Sequence, residues 1–211
     1  MQNFQPLYDA ILKGDAKSAK AFTEQALAAG ADPMTLVQDG MVPAMGEVGK
    51  RFECSEYFVP ELLLSARAMK AALELLRPLL AAAGAHSAGR VVIGTVRGDL
   101  HDIGKNLVAV MLEGGGYEVT DLGVNVPPEQ FVAAVRQKSP QIVALSALLT
   151  TTMRAMKETV DALQQAGVRQ QVKVLIGGAP ITQRFATEIG ADGFSETAAK
   201  VTGLARQVLA T

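Results

Sequence analysis

The apolar residues of this chain change their period once, and that change limits the fold more than any other feature. From residue 4 to about 82 the spacing is helical throughout. Leu62, Ala66, Met69, Leu73, Leu76 and Leu80 line one face of a helix while Arg67, Lys70, Glu74 and Arg77 line the other. Gly14-Asp15 and Gly30-Ala31-Asp32-Pro33 punctuate the upstream stretch, the second supplying a capping Asp with Pro at the first helical position. The pattern predicts four helices, at 4–13, 16–29, 33–50 and 59–82, packed as a bundle. Residues 81–89 then carry only small side chains and His86, with no period, and read as a linker in which His86 is solvated. The expected division is a helical domain over 1–83, a linker over 84–89 and a second domain over 90–211.

Beyond the linker, short β-rich runs alternate with helical ones. Val91-Val92-Ile93, Tyr117-Glu118-Val119, Ile142-Val143-Ala144-Leu145 and Val172-Lys173-Val174-Leu175-Ile176 read as strands, with a weak fifth near Ala191–Phe194. Helices are expected between and after them, at 103–114, 127–138, 152–166, 181–189 and 196–209. Gly114-Gly115-Gly116 ends one of these helices and reads as its cap. Repeated strand–helix units predict an α/β fold, a doubly wound five-stranded parallel sheet of flavodoxin- or Rossmann-like order. Such sheets bind ligands outside the carboxyl ends of their strands, where the strand order reverses, so the loops after the first, third and fourth strands are the places to search.

Composition narrows the partners. Twenty basic against twenty-one acidic residues leave a net charge of −1, which gives no field for nucleic acid or an anionic membrane. The 49% hydrophobic content comes with only 5% aromatics and no Trp, which disfavours a β-sandwich. A single cysteine, Cys54, and an N-terminus without a signal-peptide pattern fit a reducing cytoplasm. No apolar run reaches the ~18 residues of a membrane span.

The loop after the first strand reads Gly94-Thr95-Val96-Arg97-Gly98-Asp99-Leu100-His101-Asp102-Ile103-Gly104 and holds one of only two histidines. A carboxylate two residues from an imidazole can fix the tautomer of a metal-binding His and raise its basicity. Equally, Asp102 can cap the following helix, Asp99 can be a solvated turn residue and His101 merely exposed. After the third strand, Ser146, Thr150, Thr151 and Thr152 can line a polar slot or bond an Asp–His pair, or they can cap the helix at 152–166. Gly177-Gly178 after the fourth strand permits close backbone approach by a ligand, or an ordinary turn. Other chemistries lack their parts. There is no phosphate-binding G-x-x-x-x-G-K-[ST] motif, too few His and Cys for a zinc cage, and Glu53 and Glu56 beside Cys54 disfavour a thiolate nucleophile.

Together the loops spell Asp99-x-His101-x-x-Gly104, then Ser146-x-Leu148, then Gly177-Gly178. This resembles the signature of proteins that bind cobalamin with its benzimidazole displaced by a protein histidine. Met41-x-x-Ala44-Met45-x-x-Val48-Gly49-x-x-Phe52, Tyr57-Phe58-Val59-Pro60-Glu61 and Ser65–Met69 resemble the helical cap of methionine synthase and of the corrinoid proteins of methanol and methylamine methyltransferase systems. The resemblance spans nearly the whole chain and implies a stand-alone methyltransferase corrinoid protein, with neither the activation domain nor the substrate modules of methionine synthase.

The resemblance implies cobalamin (methylcobalamin or a related corrinoid) as cofactor and His101 as lower axial ligand to cobalt. Asp99 would bond the ring nitrogen facing away from the metal, and Thr152 falls where methionine synthase has a Ser completing the relay. Gly98, Leu100, Asp102, Ile103 and Gly104 would border the cofactor. Leu148 would also contact the cofactor, Ser146 and Thr150 would meet its displaced nucleotide tail, and Gly177 and Gly178 would flank the tail's slot. On the cap, Phe52 and Val59 would cover the upper, methyl-bearing face, or else simply pack the core. The implied role is a carrier, incomplete as an enzyme on its own, moving a methyl group between a substrate-specific methyltransferase and a methyl-acceptor (tetrahydrofolate or thiol) methyltransferase, with a reductive activase as third partner. Two rivals share the cofactor. A cobalamin-dependent regulator needs a DNA-binding helix-turn-helix, which the first 30 residues do not supply. A cobalamin-binding subunit of an adenosylcobalamin mutase does not need this cap.

Overall fold

Side-chain caps mark where several helices of the first half begin. The computed structural model describes residues 4–82 and 87–210, so His86 and most of the expected linker lie outside the described residues. The chain divides into two compact units, Met1–Ala88 with Glu113–Gly116, and Gly89–Leu112 with Tyr117–Thr211. In the first unit, α1 (Gln5–Leu12) is followed by α2 (Ala16–Ala28), where the Asp15 carboxylate accepts the Ser18 N–H at 3.0 Å and its hydroxyl at 2.6 Å. Asp32 does the same for the next segment, accepting Thr35 N–H at 2.8 Å with Pro33 in the first turn.

The expected single helix over 33–50 is instead three pieces: α3 (Pro33–Thr35), a π-helical turn (Leu36–Met41) and α4 (Val42–Glu53). Pro43 has no N–H to offer and its ring crowds the carbonyl one turn back, so the ladder widens. Val42 N–H accordingly reaches Val37 O, five residues back. The last helix, α5 (Val59–Ala82), is introduced by Glu61 Oε2 accepting Phe58 N–H at 3.0 Å. Leu62, Met69 and Leu76 of its apolar stripe are buried with Leu7, Ile11, Leu36, Met41 and Met45, whereas Ala66, Leu73 and Leu80 are half-buried.

The second unit is built on five parallel strands, β1 (Arg90–Thr95), β2 (Glu118–Asp121), β3 (Ile142–Ser146), β4 (Lys173–Gly177) and β5 (Gly193–Ser195), in the order β2-β1-β3-β4-β5. That is the flavodoxin-like doubly wound order. Helices α6 (Ile103–Gly114), α7 (Pro128–Lys138), α8 (Met153–Gln165), α9 (Gln183–Ile189) and α10 (Val201–Leu209) cover the two faces. Both faces are covered, so β1 and β3 are buried almost end to end and read as continuous apolar runs without alternation. Two details differ from expectation. A 3-10 turn, Arg169–Gln171, leads into β4, and α10 starts at Val201 because residues 196–200 form a loop, at whose start Ser195 Oγ donates to Thr197 O at 2.8 Å. Among the described residues, no helix is long and apolar enough to cross a membrane.

Candidate functional site

Strand order reverses between β1 and β3, so the chains leaving these two strands turn to opposite faces and open a crevice at the carboxyl edge of the sheet. The loop from β1 stays beside β3 for one further residue, Val96 N–H donating to Ser146 O at 3.0 Å. It then turns at Gly98, φ +84, and sends the Asp99 side chain inward. Asp99 is 0% exposed. Its Oδ1 accepts His101 N–H at 3.0 Å and lies 2.8 Å from His101 Nδ1. Its Oδ2 accepts Leu148 N–H at 2.8 Å and the Thr152 hydroxyl at 2.7 Å, from the loop after β3. Burial pushes this carboxyl up, but the donors, Leu148 N–H foremost, then Thr152 and His101, outweigh it and hold the group well below the usual carboxylate range. Asp99 is therefore ionised at neutral pH, and two alternatives open in the sequence are closed: Asp99 is no solvated turn residue, and the Thr152 hydroxyl, though Thr152 stands at the N-cap of α8, makes no capping bond to it.

An ionised carboxylate only accepts, so it keeps the proton on His101 Nδ1 and leaves the Nε2 lone pair as the donor. Among the described residues none bonds Nε2, and the imidazole is 51% exposed. The ring is held by its backbone too: the buried Thr95 hydroxyl donates to His101 O at 2.7 Å. Leu100 and Ile103, each 72% exposed, flank the histidine, and Leu148 and Leu149 are exposed apolar side chains on the adjoining loop. A Cβ at Gly104, in the first turn of α6, would meet nothing within 4 Å.

The remaining expected residues fall around this centre with different surroundings. Asp102 is exposed; its carbonyl accepts Asn106 N–H at 2.8 Å, closing the first turn of α6, and its carboxylate meets the Asn106 side chain at 3.3 Å. Ser146 ends β3 in register with Thr95 and Gly177, and Thr150 is exposed in the following turn. Gly178 has φ +135, and a Cβ there would stand 1.8 Å from Ala147 O. Its glycine is thus required by the chain's own backbone crossing, whatever else passes nearby. In the helical unit, Phe52 is half-buried in the last turn of α4 and Val59 is exposed at the start of α5.

Four contributors carried no clear sequence signal: Thr95, Asn125, the buried Lys105 paired with Asp121, and Thr197. Thr197, on the loop after β5, has a buried hydroxyl with no hydrogen-bond partner among the described residues. It follows Ser195, which is in register with Gly177, so an unmet polar atom lies along the same sheet edge.

These features test what the edge can hold. Among the described residues no three His, Cys, Asp or Glu side chains converge, so a bare metal ion has no cage. One oriented imidazole amid exposed apolar side chains suits a metal that brings its own ring of ligands, and the unmet Thr197 hydroxyl suits a polar appendage. Fold and site thus define a doubly wound sheet with one oriented imidazole exposed at the carboxyl edge where its strand order reverses. The chain belongs to the B12 binding domain family, which it matches over residues 89–202, with a second B12 binding domain match over residues 4–77. It is 44% identical over 203 residues to trimethylamine corrinoid protein 1 of Methanosarcina acetivorans, covering 95% of this chain and 94% of the relative. Among solved structures it is similar to a cobalamin-binding protein from Desulfitobacterium hafniense (33% identity, TM-score 0.81, 99% of both chains). It is also similar to the methanol:cobalamin methyltransferase complex MtaBC of Methanosarcina barkeri (34% identity, TM-score 0.85, 98% of this chain and 79% of that one).

Proposed function

We propose that this chain is a cytoplasmic corrinoid protein that carries a methyl group on cobalt between partner methyltransferases, with His101 as the residue that would hold the cobalt. The observation that carries the reading is the chain of bonds from the Thr152 hydroxyl through buried Asp99 to His101 Nδ1, which leaves Nε2 open on a B12-family sheet edge. The bound corrinoid supplies a cobalt centre able to accept and release a methyl group. The protein's residues supply orientation. Asp99 holds the Nδ1 proton and the ring plane, so Nε2 presents its lone pair in one direction. Thr152 and Leu148 N–H keep the carboxylate charged and fixed. Leu100, Ile103 and Leu148 give the apolar surface that a corrin face requires, and Gly98, Asp102 and Gly104 complete the border. Ser146, Thr150, Gly177 and Gly178 are assigned to the nucleotide tail, and Phe52 and Val59 to cover of the methyl-bearing face. A methyltransferase specific for the donor loads the carrier, a second one passes the methyl group to tetrahydrofolate or a thiol, and a reductive activase restores it. A partner of the first kind is supported by the similarity to the methanol:cobalamin methyltransferase complex of Methanosarcina barkeri.

The test is reconstitution with methylcobalamin and hydroxocobalamin. His101→Ala is expected to shift the visible spectrum of the bound cofactor relative to wild type. Identical spectra would refute axial ligation by His101.

A further inference from the structure

The connection between β2 and α7 carries Asn125 at φ +53, a left-handed conformation that Asn takes more readily than most residues other than glycine. Its Oδ1 accepts Gly98 N–H at 2.7 Å, and its own N–H donates to Asp99 O at 2.9 Å. One residue therefore grips the peptide entering Gly98 and the peptide leaving Asp99. The gripping loop is itself secured on both sides. Val126 pairs with Val96 and donates its N–H to Thr95 O at 2.9 Å, while Asp121 takes Gly123 N–H at 2.8 Å and the ammonium of buried Lys105.

We propose that Asn125 is a positioning residue for the axial imidazole. By fixing both ends of the Gly98–Asp99 turn it sets the direction from which Asp99 enters the fold, and so the direction in which His101 Nε2 points. The inference rests on reading His101 as the cobalt ligand. Ligand geometry must be held to within about 0.5 Å, and Asp99 alone fixes the ring only relative to a turn that something else has to hold. Among the described residues, the Asn125 carboxamide is the one side chain from another loop that takes a backbone N–H of that turn.

The experiment is a double-mutant cycle in the full chain, reading hydroxocobalamin affinity by absorbance titration, with thermal unfolding of the cofactor-free proteins as control. Asn125→Ala is expected to weaken binding about tenfold when His101 is present, the order found for groups behind a metal ligand, and less than about twofold in the His101→Ala background. Asn125→Asp keeps an acceptor for Gly98 N–H and should stay within about twofold of wild type. Asn125→Gly relieves the positive φ without restoring the acceptor, so it should behave as Asn125→Ala and serves in its place if that variant folds poorly. Equal losses with and without His101 would overturn the positioning role and leave a purely structural one. Failure of the underlying ligand reading shows separately, as a bound spectrum that His101→Ala leaves unchanged.

Discussion

Replacing Asp99 by Asn keeps the shape of the side chain and removes its charge, and the consequences can be followed atom by atom. If the new amide nitrogen takes the place of Oδ2, the Thr152 hydroxyl can rotate to accept from it and donate instead to Leu149 O, 2.9 Å away. Leu148 N–H has no such freedom and is left facing a donor where it now has an acceptor at 2.8 Å. If the nitrogen takes the place of Oδ1, His101 N–H is orphaned. Nδ1 must then become an acceptor, which moves the ring proton to Nε2 and consumes the free lone pair. Either way one buried N–H loses its partner, at about 2 kcal/mol, and the surviving bonds lose their charge assistance, at about 1 kcal/mol together. The expected loss of about 3 kcal/mol corresponds to a drop of about 10 °C in the unfolding temperature of a chain this size.

The measurement is thermal unfolding of the cofactor-free wild type and variant across pH. The folded Asp99 carboxyl titrates below the ~3.9 of an unfolded aspartate, so its stabilisation is complete above about pH 5 and is lost as pH falls through 4 and lower. The gap between wild type and Asp99→Asn should therefore be flat from pH 5 to 8 and narrow on acidification. An Asn variant that melts with wild type at pH 7, or a gap that widens in acid, would refute the account of Asp99.

Two further outcomes test the scaffold. Lys105 is 2% exposed while its partner Asp121 is 40% exposed, so the two halves of this ion pair should respond unequally. Lys105→Met leaves a carboxylate that water can reach and should move the urea midpoint little, whereas Asp121→Asn strips a buried ammonium of its counter-charge and should cost about 3 kcal/mol; equal costs would contradict the pairing. Gly178→Ala should cost about 3 kcal/mol or more, because the added methyl must displace Ala147 O and hold φ +135, and an unperturbed melting curve would show that the crossing is looser than described.

Much of this was legible because burial writes itself into period. The continuous apolar runs of β1, β3 and β4 announce a parallel sheet covered on both faces, and order reversal then says which loops matter. The Asp99–His101 spacing shows that a bond between them is possible. That Asp99 is also the meeting point of two loops follows only from the β1–β3 register, which no local pattern encodes. Asn125 is hidden for the same reason: it acts beside the bridge between Val96 and Val126, a contact between two loops rather than a motif. Thr95 looks like one more strand residue until its hydroxyl is seen to turn toward His101 O. The π-helical turn had a visible cause in Pro43, while the late start of α10 did not, since nothing in Glu196–Lys200 breaks a helix by composition alone.

The crossing of Gly178 over Ala147 makes neighbours in space of two loops that are 31 residues apart in sequence. Ala147 immediately precedes the amide that anchors Asp99, so a bulge at 178 would be felt at the imidazole without touching it. An engineer reshaping this edge of the sheet must leave Gly178 untouched and begin at Ala179, or else retune the histidine along with the loop.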